Sequence, residues 1–202
     1  MMVLGPRASR IALVVVAACS PPAPQAPHEP TGVTDLVKAD VRRAEDAELA
    51  RAHDVARAEY ERAVADATNA ASRHFAHREY AETLETWGEL DAATAHLEAA
   101  VAAAPGDALA WQHLGLLYHH AGDDRRARAA LERSKQLAPK SYYPRKALAA
   151  LDLCANDRDG ALAEYREMLA LDLPDRMRAD VQQAIDYLAK SPGPFACGPR
   201  AP

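Results

Sequence analysis

Histidine residues are the side chains of this sequence most able to form a metal site. Eight are present, and His74 and His77 lie one helical turn apart. His119 and His120 are adjacent, and adjacent residues of a helix point about 100° apart, so this second pair rarely shares one ion. A zinc site needs three or four converging ligands. We therefore expect the histidines to lie on a polar surface or in a groove, and we predict no metal and no other cofactor.

Catalytic motifs are missing from the sequence. It contains no Gly-rich phosphate loop, no nucleophile motif, and no pair of carboxylates isolated among apolar residues. Every acidic residue has a simpler role as a helix cap or as part of a solvated helix face. The net charge of −5 provides no basic excess for nucleic acid. We predict that the protein is not an enzyme and does not bind nucleic acid.

The N-terminal residues have the layout of an export signal. Arg7 and Arg10 precede the apolar run 11–18, which is too short to span a bilayer as a stable helix and is followed by Cys19. The run ends in Val-Ala-Ala, and with the cysteine these residues resemble the lipobox of bacterial lipoproteins, with valine where leucine is usual. The resemblance implies cleavage before Cys19 and attachment of acyl chains, such as palmitate, to that residue. Ser20, rather than Asp, then favours the outer membrane facing the periplasm; the alternative is an ordinary secretory signal with an incidental cysteine.

The two remaining cysteines would be an even pair in an oxidising compartment. Lys190 ends the last predicted helix, and the seven residues 191–197, which end in the final cysteine, reach about 23 Å when extended. A disulfide bond between Cys154 and Cys197 that holds the C-terminal tail is therefore feasible. In the alternative, Cys154 is a small buried hydrophobic residue and Cys197 is free or intermolecular.

Residues 108–141 have the pattern of two amphipathic helices joined by a tight turn. Apolar or small residues recur at i, i+3 and i+4 on one face of each helix, and they are Trp111, Leu114, Leu117 and Tyr118 on the first and Ala127, Ala130, Leu131 and Ser134 on the second. Asp107 is the expected N-cap of the first helix, and Asp123 or Asp124 that of the second. Gly122 suits a left-handed turn between the two helices.

The same stretch resembles the tetratricopeptide (TPR) repeat, in which W-x2-L-G-x2-Y is followed by an alanine and a proline at fixed distances. The matching residues are Trp111, Leu114, Gly115, Tyr118, Gly122, Ala127, Leu131 and Pro139. A step of 34 residues finds the pattern again on either side, which gives repeats at 74–107, 108–141 and 142–175. The resemblance implies an all-α fold, namely a TPR-type α-solenoid of antiparallel helix pairs with a C-terminal capping helix.

The third repeat departs from the pattern at two positions. Asn156 replaces the turn glycine, and asparagine tolerates the same turn geometry. Asp152 replaces the aromatic residue, and this change predicts a looser or solvent-facing end of that helix.

The remaining segments flank the repeats. The predicted order is a signal peptide at 1–18, a Pro-rich linker at 19–33, a helical segment at 34–73, three repeats at 74–175, a capping helix at 176–190 and an irregular tail at 191–202. The segment 34–73 forms either one long helix or a degenerate helical hairpin that breaks near His53, and we favour the hairpin.

Ligands of TPR proteins lie along the concave groove made by the first helix of each repeat. Carrying the family's groove positions onto this sequence gives five residues in each repeat, and Phe75 and Glu85 are among those of the first. The eight candidates that we single out are Arg78 and Glu82 in the first repeat, Gln112, Leu116, His119 and His120 in the second, and Tyr143 and Lys146 in the third. Family members that hold a C-terminal carboxylate use Lys and Asn positions across three repeats. Arg78 and Lys146 fit that pattern in part, whereas Glu82 and Leu116 do not.

The resemblance predicts an envelope-anchored scaffold that binds a segment of another protein in this groove, for example during assembly of an envelope machine. Contact with the membrane would be through the lipid anchor only. The alternative is a non-catalytic accessory subunit or regulator of an envelope enzyme, such as one that acts on peptidoglycan. A third interpretation is that the chain is only a spacer, or that its own tail or N-terminal helix fills the groove. The partner and the oligomeric state are left open.

Overall fold

The computed structural model describes residues 31–190 together with Gly193 and Phe195. These residues form nine α-helices and no strand, so the predicted all-α fold is confirmed for them. The helices are α1 (Asp35–Leu49), α2 (His53–Ala65), α3 (Ala70–Trp87), α4 (Leu90–Ala103), α5 (Ala108–His120), α6 (Asp124–Leu137), α7 (Tyr143–Cys154), α8 (Arg158–Leu169) and α9 (Asp175–Lys190). The predicted signal peptide, most of the linker and most of the tail lie outside the described residues. None of these helices is both long and apolar enough to cross a bilayer.

The described residues divide into two compact units. The N-terminal unit ends at Leu117, and the C-terminal unit begins at Tyr118, so the boundary falls within α5.

Two helical hairpins build most of the N-terminal unit. Helix α1 pairs with α2, and α3 pairs with α4. The first hairpin lies in the segment 34–73, for which the sequence allowed either one long helix or a helical hairpin. Its chain reverses at Arg51, which has a φ of 57°. In the second hairpin Ala81 and Ala93 are fully buried, as are the larger Leu84 and Leu97. Small side chains thus let the two backbones approach, while leucines fill the space beside them.

The same buried positions recur every 34 residues along the chain. Alanine is fully buried at 93, 127 and 161, and a large residue is buried at 97, 131 and 165. The turn positions Gly88, Gly122 and Asn156 all have left-handed backbones, with φ values of 79°, 78° and 60°. The prediction that Asn156 adopts the glycine turn is therefore confirmed, since asparagine reaches this region at a small cost.

The core of the C-terminal unit lies between α7, α8 and α9. It is formed by one cluster of buried apolar residues, with Ala149 and Leu153 from α7, Tyr165 and Met168 from α8, and Val181 and Leu188 from α9. Helix α9 contacts α8 and covers its apolar face, as a terminal capping helix does in repeat proteins.

The prediction for Asp152 is wrong. Its residue is only 2% exposed, and its carboxylate forms an ion pair with Arg128 of α6. The substitution of the aromatic residue therefore does not open the end of α7 to solvent. A buried carboxylate needs a partner of opposite charge, and Arg128 provides it.

Gly160 lies against the same carboxylate. A Cβ atom at this position would be 2.7 Å from Oδ2 of Asp157 and 2.9 Å from Oδ2 of Asp152. Asp157 caps α8, because its Oδ1 accepts the Gly160 N–H at 2.9 Å. Neither carboxylate can withdraw without loss of the cap or of the ion pair with Arg128.

We predict that Gly160→Ala destabilises the protein by about 1–3 kcal/mol because it overpacks this site. The sign of the change in the free energy of unfolding is informative, because replacing a glycine by alanine inside a helix ordinarily stabilises the helix by roughly 0.5–1 kcal/mol. Gly106→Ala is the matched control, because its added Cβ meets no atom within 4 Å. Urea unfolding followed by far-UV circular dichroism measures both variants. A Gly160→Ala protein as stable as the wild type would contradict the assigned packing.

Candidate functional site

The eight predicted groove residues are divided between the two units. Arg78, Glu82, Gln112 and Leu116 belong to the N-terminal unit, and His119, His120, Tyr143 and Lys146 belong to the C-terminal unit. The N-terminal unit also contains a cavity, and we describe that unit first.

The cavity lies between the start of α3, the end of α4 and the turn that precedes α5. Its volume is about 430 Å³, which is within the usual range for ligand pockets. Apolar walls come from Val33, Ala70, Ala71, Phe75, Ala103 and Ala104, and polar groups come from Thr31, His74, Arg78 and Asp107. A mostly apolar pocket with a few convergent polar groups is the usual form of a binding site.

His74 joins the three elements that surround this cavity. Its Nδ1 lies 3.1 Å from the carbonyl oxygen of Ala100 in α4, and its Nε2 lies 2.9 Å from Oδ2 of Asp107. Both neighbours are acceptors, so the ring satisfies both contacts only when both of its nitrogens carry a proton. The hydrogen bond to Asp107 raises the pKa of His74 above its ordinary value, in spite of burial.

Asp107 is held by its partners as a carboxylate. Its Oδ1 accepts the N–H groups of Leu109 at 2.8 Å and Ala110 at 3.1 Å, so it caps α5 as the sequence predicts. Burial alone would raise the pKa of Asp107, but the hydrogen bonds from His74 and from the two backbone amides lower it to about 2. The cavity wall therefore contains a cation and an anion that compensate each other.

Arg78 is the second cation of the cavity wall, and it is also compensated. Its guanidinium pairs with Glu79 and, at 3.3 Å, with Glu82. Burial raises the pKa of Glu79 to about 7, in spite of this partner. Because Arg78 is already shared between two carboxylates, it is a poor site for a ligand carboxylate.

Glu85 and His113 form a second polar pair of the N-terminal unit. Burial raises the pKa of Glu85 to about 7 and lowers the pKa of His113. His113 Nδ1 lies 3.9 Å from Oε1 of Glu85, and within the described part of the chain neither that oxygen nor His113 Nε2 has a hydrogen-bond partner. The groove pattern includes Glu85 but not His113, because His113 does not occupy one of the family's groove positions.

The two remaining groove candidates of this unit differ in exposure. Gln112 is only 6% exposed, so it offers a ligand little surface, whereas Leu116 is half-buried.

The groove candidates of the C-terminal unit have mixed surroundings. His119 Nδ1 lies 2.7 Å from Oδ1 of Asp124, while His120 is exposed. Tyr143 stacks on its neighbour Tyr142, with ring centroids 4.1 Å apart, and Lys146 is half-buried.

Cys154 is disulfide-bonded, and its Sγ lies 4.0 Å from His119 Nε2. The predicted partner Cys197 lies outside the described residues, as does the predicted lipid attachment site Cys19. The pairing of Cys154 with Cys197 therefore stays a prediction.

Comparison with known proteins adds little to this description. No family model matches the chain, and no curated protein is significantly similar to it. Among solved structures, the crystal structure of a thermophilic TPR protein from Thermus thermophilus is similar, with 19% identity and a TM-score of 0.46 over 76% of this chain and 98% of that chain. Because that likeness is distant, the assignment rests on the helix pairs, the 34-residue recurrence of buried positions and the left-handed turns, which define an all-α fold of TPR-type helix pairs.

The His74–Asp107 pair predicts a pH dependence of stability. Since the pKa of His74 is raised in the folded state, its contribution is complete below about pH 6.5 and is lost as the pH rises through the folded value. We expect His74→Gln to cost about 1.5–3 kcal/mol at pH 6, as for a hydrogen bond to a charged group, and less at pH 9. Urea unfolding at both pH values measures the difference between variant and wild type.

His120→Gln is the control for this measurement, because His120 is exposed. The free energy of unfolding of His120→Gln should equal that of the wild type at both pH values. A cost of His74→Gln that stays constant from pH 6 to 9 would show that the charge of His74 contributes nothing.

Proposed function

We propose that this protein is an interaction module that binds a segment of another protein in the groove of its N-terminal unit. A fold of TPR-type helix pairs suggests a protein–protein interaction scaffold, although fold alone does not define a function. The observation that carries the proposal is the cavity of about 430 Å³. Two of its wall residues, Phe75 and Arg78, occupy groove positions of the repeat pattern.

The charges near the cavity narrow the kind of segment that fits. The apolar walls suit one large aliphatic or aromatic side chain as an anchor. Glu82, which pairs with Arg78 of the cavity wall, has a side chain that is 40% exposed, and Arg78 is already compensated. A segment with an apolar anchor followed by a basic or neutral residue is therefore favoured over one with an acidic terminus.

Site-specific crosslinking tests this proposal. A photoreactive residue in place of Phe75, in the full chain in its native cells, should give a discrete protein adduct that the same residue at exposed Ala95 does not give. Ala103→Leu fills part of the cavity and should reduce that adduct at least about tenfold, since loss of a central anchor costs about 2 kcal/mol or more.

Ala102→Leu is the matched control for the filled cavity. It adds the same side chain one residue earlier, at an exposed position that does not line the cavity. The amount of crosslinked adduct in Ala102→Leu should equal the amount in the wild type. If Ala103→Leu and Ala102→Leu give equal amounts of adduct, the partner does not enter the cavity.

We also propose that a lipid anchor at Cys19 holds the module at the bacterial envelope, where it meets partners in the periplasm. The basic residues, the apolar run and the Val-Ala-Ala-Cys sequence support this proposal. Two or more acyl chains suffice for stable anchoring, because each buried CH2 contributes about 0.8 kcal/mol.

Intact mass of the protein from its native membrane fraction should equal residues 19–202 plus acyl chains. If Cys154 and Cys197 are bonded to each other, alkylation should add no group before reduction and two groups after it. A mass that retains residues 1–18, or that lacks acyl chains, would refute the anchor and leave the groove proposal untouched.

A further inference from the structure

Two histidines of the N-terminal unit approach each other across the second hairpin. His77 of α3 and His96 of α4 have their Nδ1 atoms 2.9 Å apart, and their ring centroids are 5.0 Å apart with the planes tilted by 45°. Neither residue belongs to the predicted groove set. The sequence pattern paired His77 with His74 instead, but both ring nitrogens of His74 are occupied by Ala100 and Asp107.

We propose that His77 and His96 form a two-histidine chelate for a divalent late transition-metal ion of the zinc, nickel or copper class. Imidazole nitrogen is a preferred ligand of these ions. Zinc–nitrogen bonds of about 2.0–2.1 Å place two tetrahedral ligand nitrogens roughly 3.3 Å apart. The observed separation is shorter by a few tenths of an ångström, so a small rotation of the rings admits the ion.

The aromatic neighbours hold His96 in place for this role. The ring of Tyr80 lies 4.4 Å from that of His96, and Tyr60 of α2 stacks on Tyr80 at 5.0 Å. Ligand imidazoles are commonly fixed by a second layer of contacts. The ladder Tyr60–Tyr80–His96 therefore limits the ring of His96 to small rotations of the kind that the ion requires.

One proton separates the observed pair from a chelate. The hydrogen bond at 2.9 Å places that proton between the two Nδ1 atoms. A metal needs a lone pair on both Nδ1 atoms, so the proton has to move to the outer nitrogen of its own ring.

The other coordination positions are left to water or to a donor from a bound molecule. Within the described residues no group of three or more His, Cys, Asp or Glu side chains converges on a common point. Both histidines are partly exposed, so solvent reaches the pair. Because a zinc ion takes three or four converging ligands, the two histidines alone do not complete its shell, and the ion they hold is exchangeable rather than structural.

Zinc titration of the full mature chain, freed of metal with a chelator, tests the proposal. Calorimetry should show a single saturable zinc site in the wild type. His77→Gln and His96→Gln should each weaken binding at least about tenfold, as even the loss of an outer-shell partner does. His120→Gln, at an exposed histidine, should bind as the wild type does. Absence of saturable binding, or equal affinity in all three variants, overturns the proposal.

Copper binding gives a second readout that does not depend on the folding of the variants. Electron paramagnetic resonance of the wild type with one equivalent of Cu²⁺ should show coupling to two imidazole nitrogens. Coupling to one nitrogen, or to none, overturns the chelate. The site differs from the cavity, so either proposal can fail while the other stands.

Discussion

Close approach of paired helices is the constraint on which this structure depends. Two helix backbones can come together only where side chains are small, and the fully buried alanines at 93, 127 and 161 provide that position in every repeat. Leucine or tyrosine four residues later then fills the adjoining space. The left-handed turns at Gly88, Gly122 and Asn156 follow from the same constraint, because a short connection must reverse the chain without adding bulk.

Charged groups complete the packing where the repeat pattern leaves it imperfect. His74 of α3 contacts the carbonyl oxygen of Ala100 near the end of α4 and the carboxylate of Asp107, the cap of α5, and so links the three elements. In the C-terminal unit, Asp152 takes the place of an aromatic residue and is paired with Arg128. Asp152 is only 2% exposed, so Arg128 compensates a buried charge that would otherwise cost several kcal/mol. The half-buried His74–Asp107 pair forms part of the cavity wall, so the candidate site is a product of the same packing.

The sequence predicted well what is local or periodic. The caps Asp107 and Asp123, the turn at Asn156 and the hairpin fold depend on residues a few positions apart, and all are found in the structure. Contacts between helices were not predicted, because they depend on how each helix is rotated about its own axis. His74–Asp107 and His77–His96 are separated by 33 and 19 residues, counted as 107 − 74 and 96 − 77. For the same reason Asp152 was placed in solvent, although it is buried.

The central claim is that a partner segment places an apolar side chain in the cavity of the N-terminal unit. Nuclear magnetic resonance of the labelled chain, titrated with the isolated segment of a captured partner, tests this claim most directly. The account predicts that the largest chemical-shift changes fall on cavity residues, with Phe75, Arg78 and Asp107 among them. Changes confined to exposed positions outside the cavity, such as Ala95 and Ala102, would contradict it.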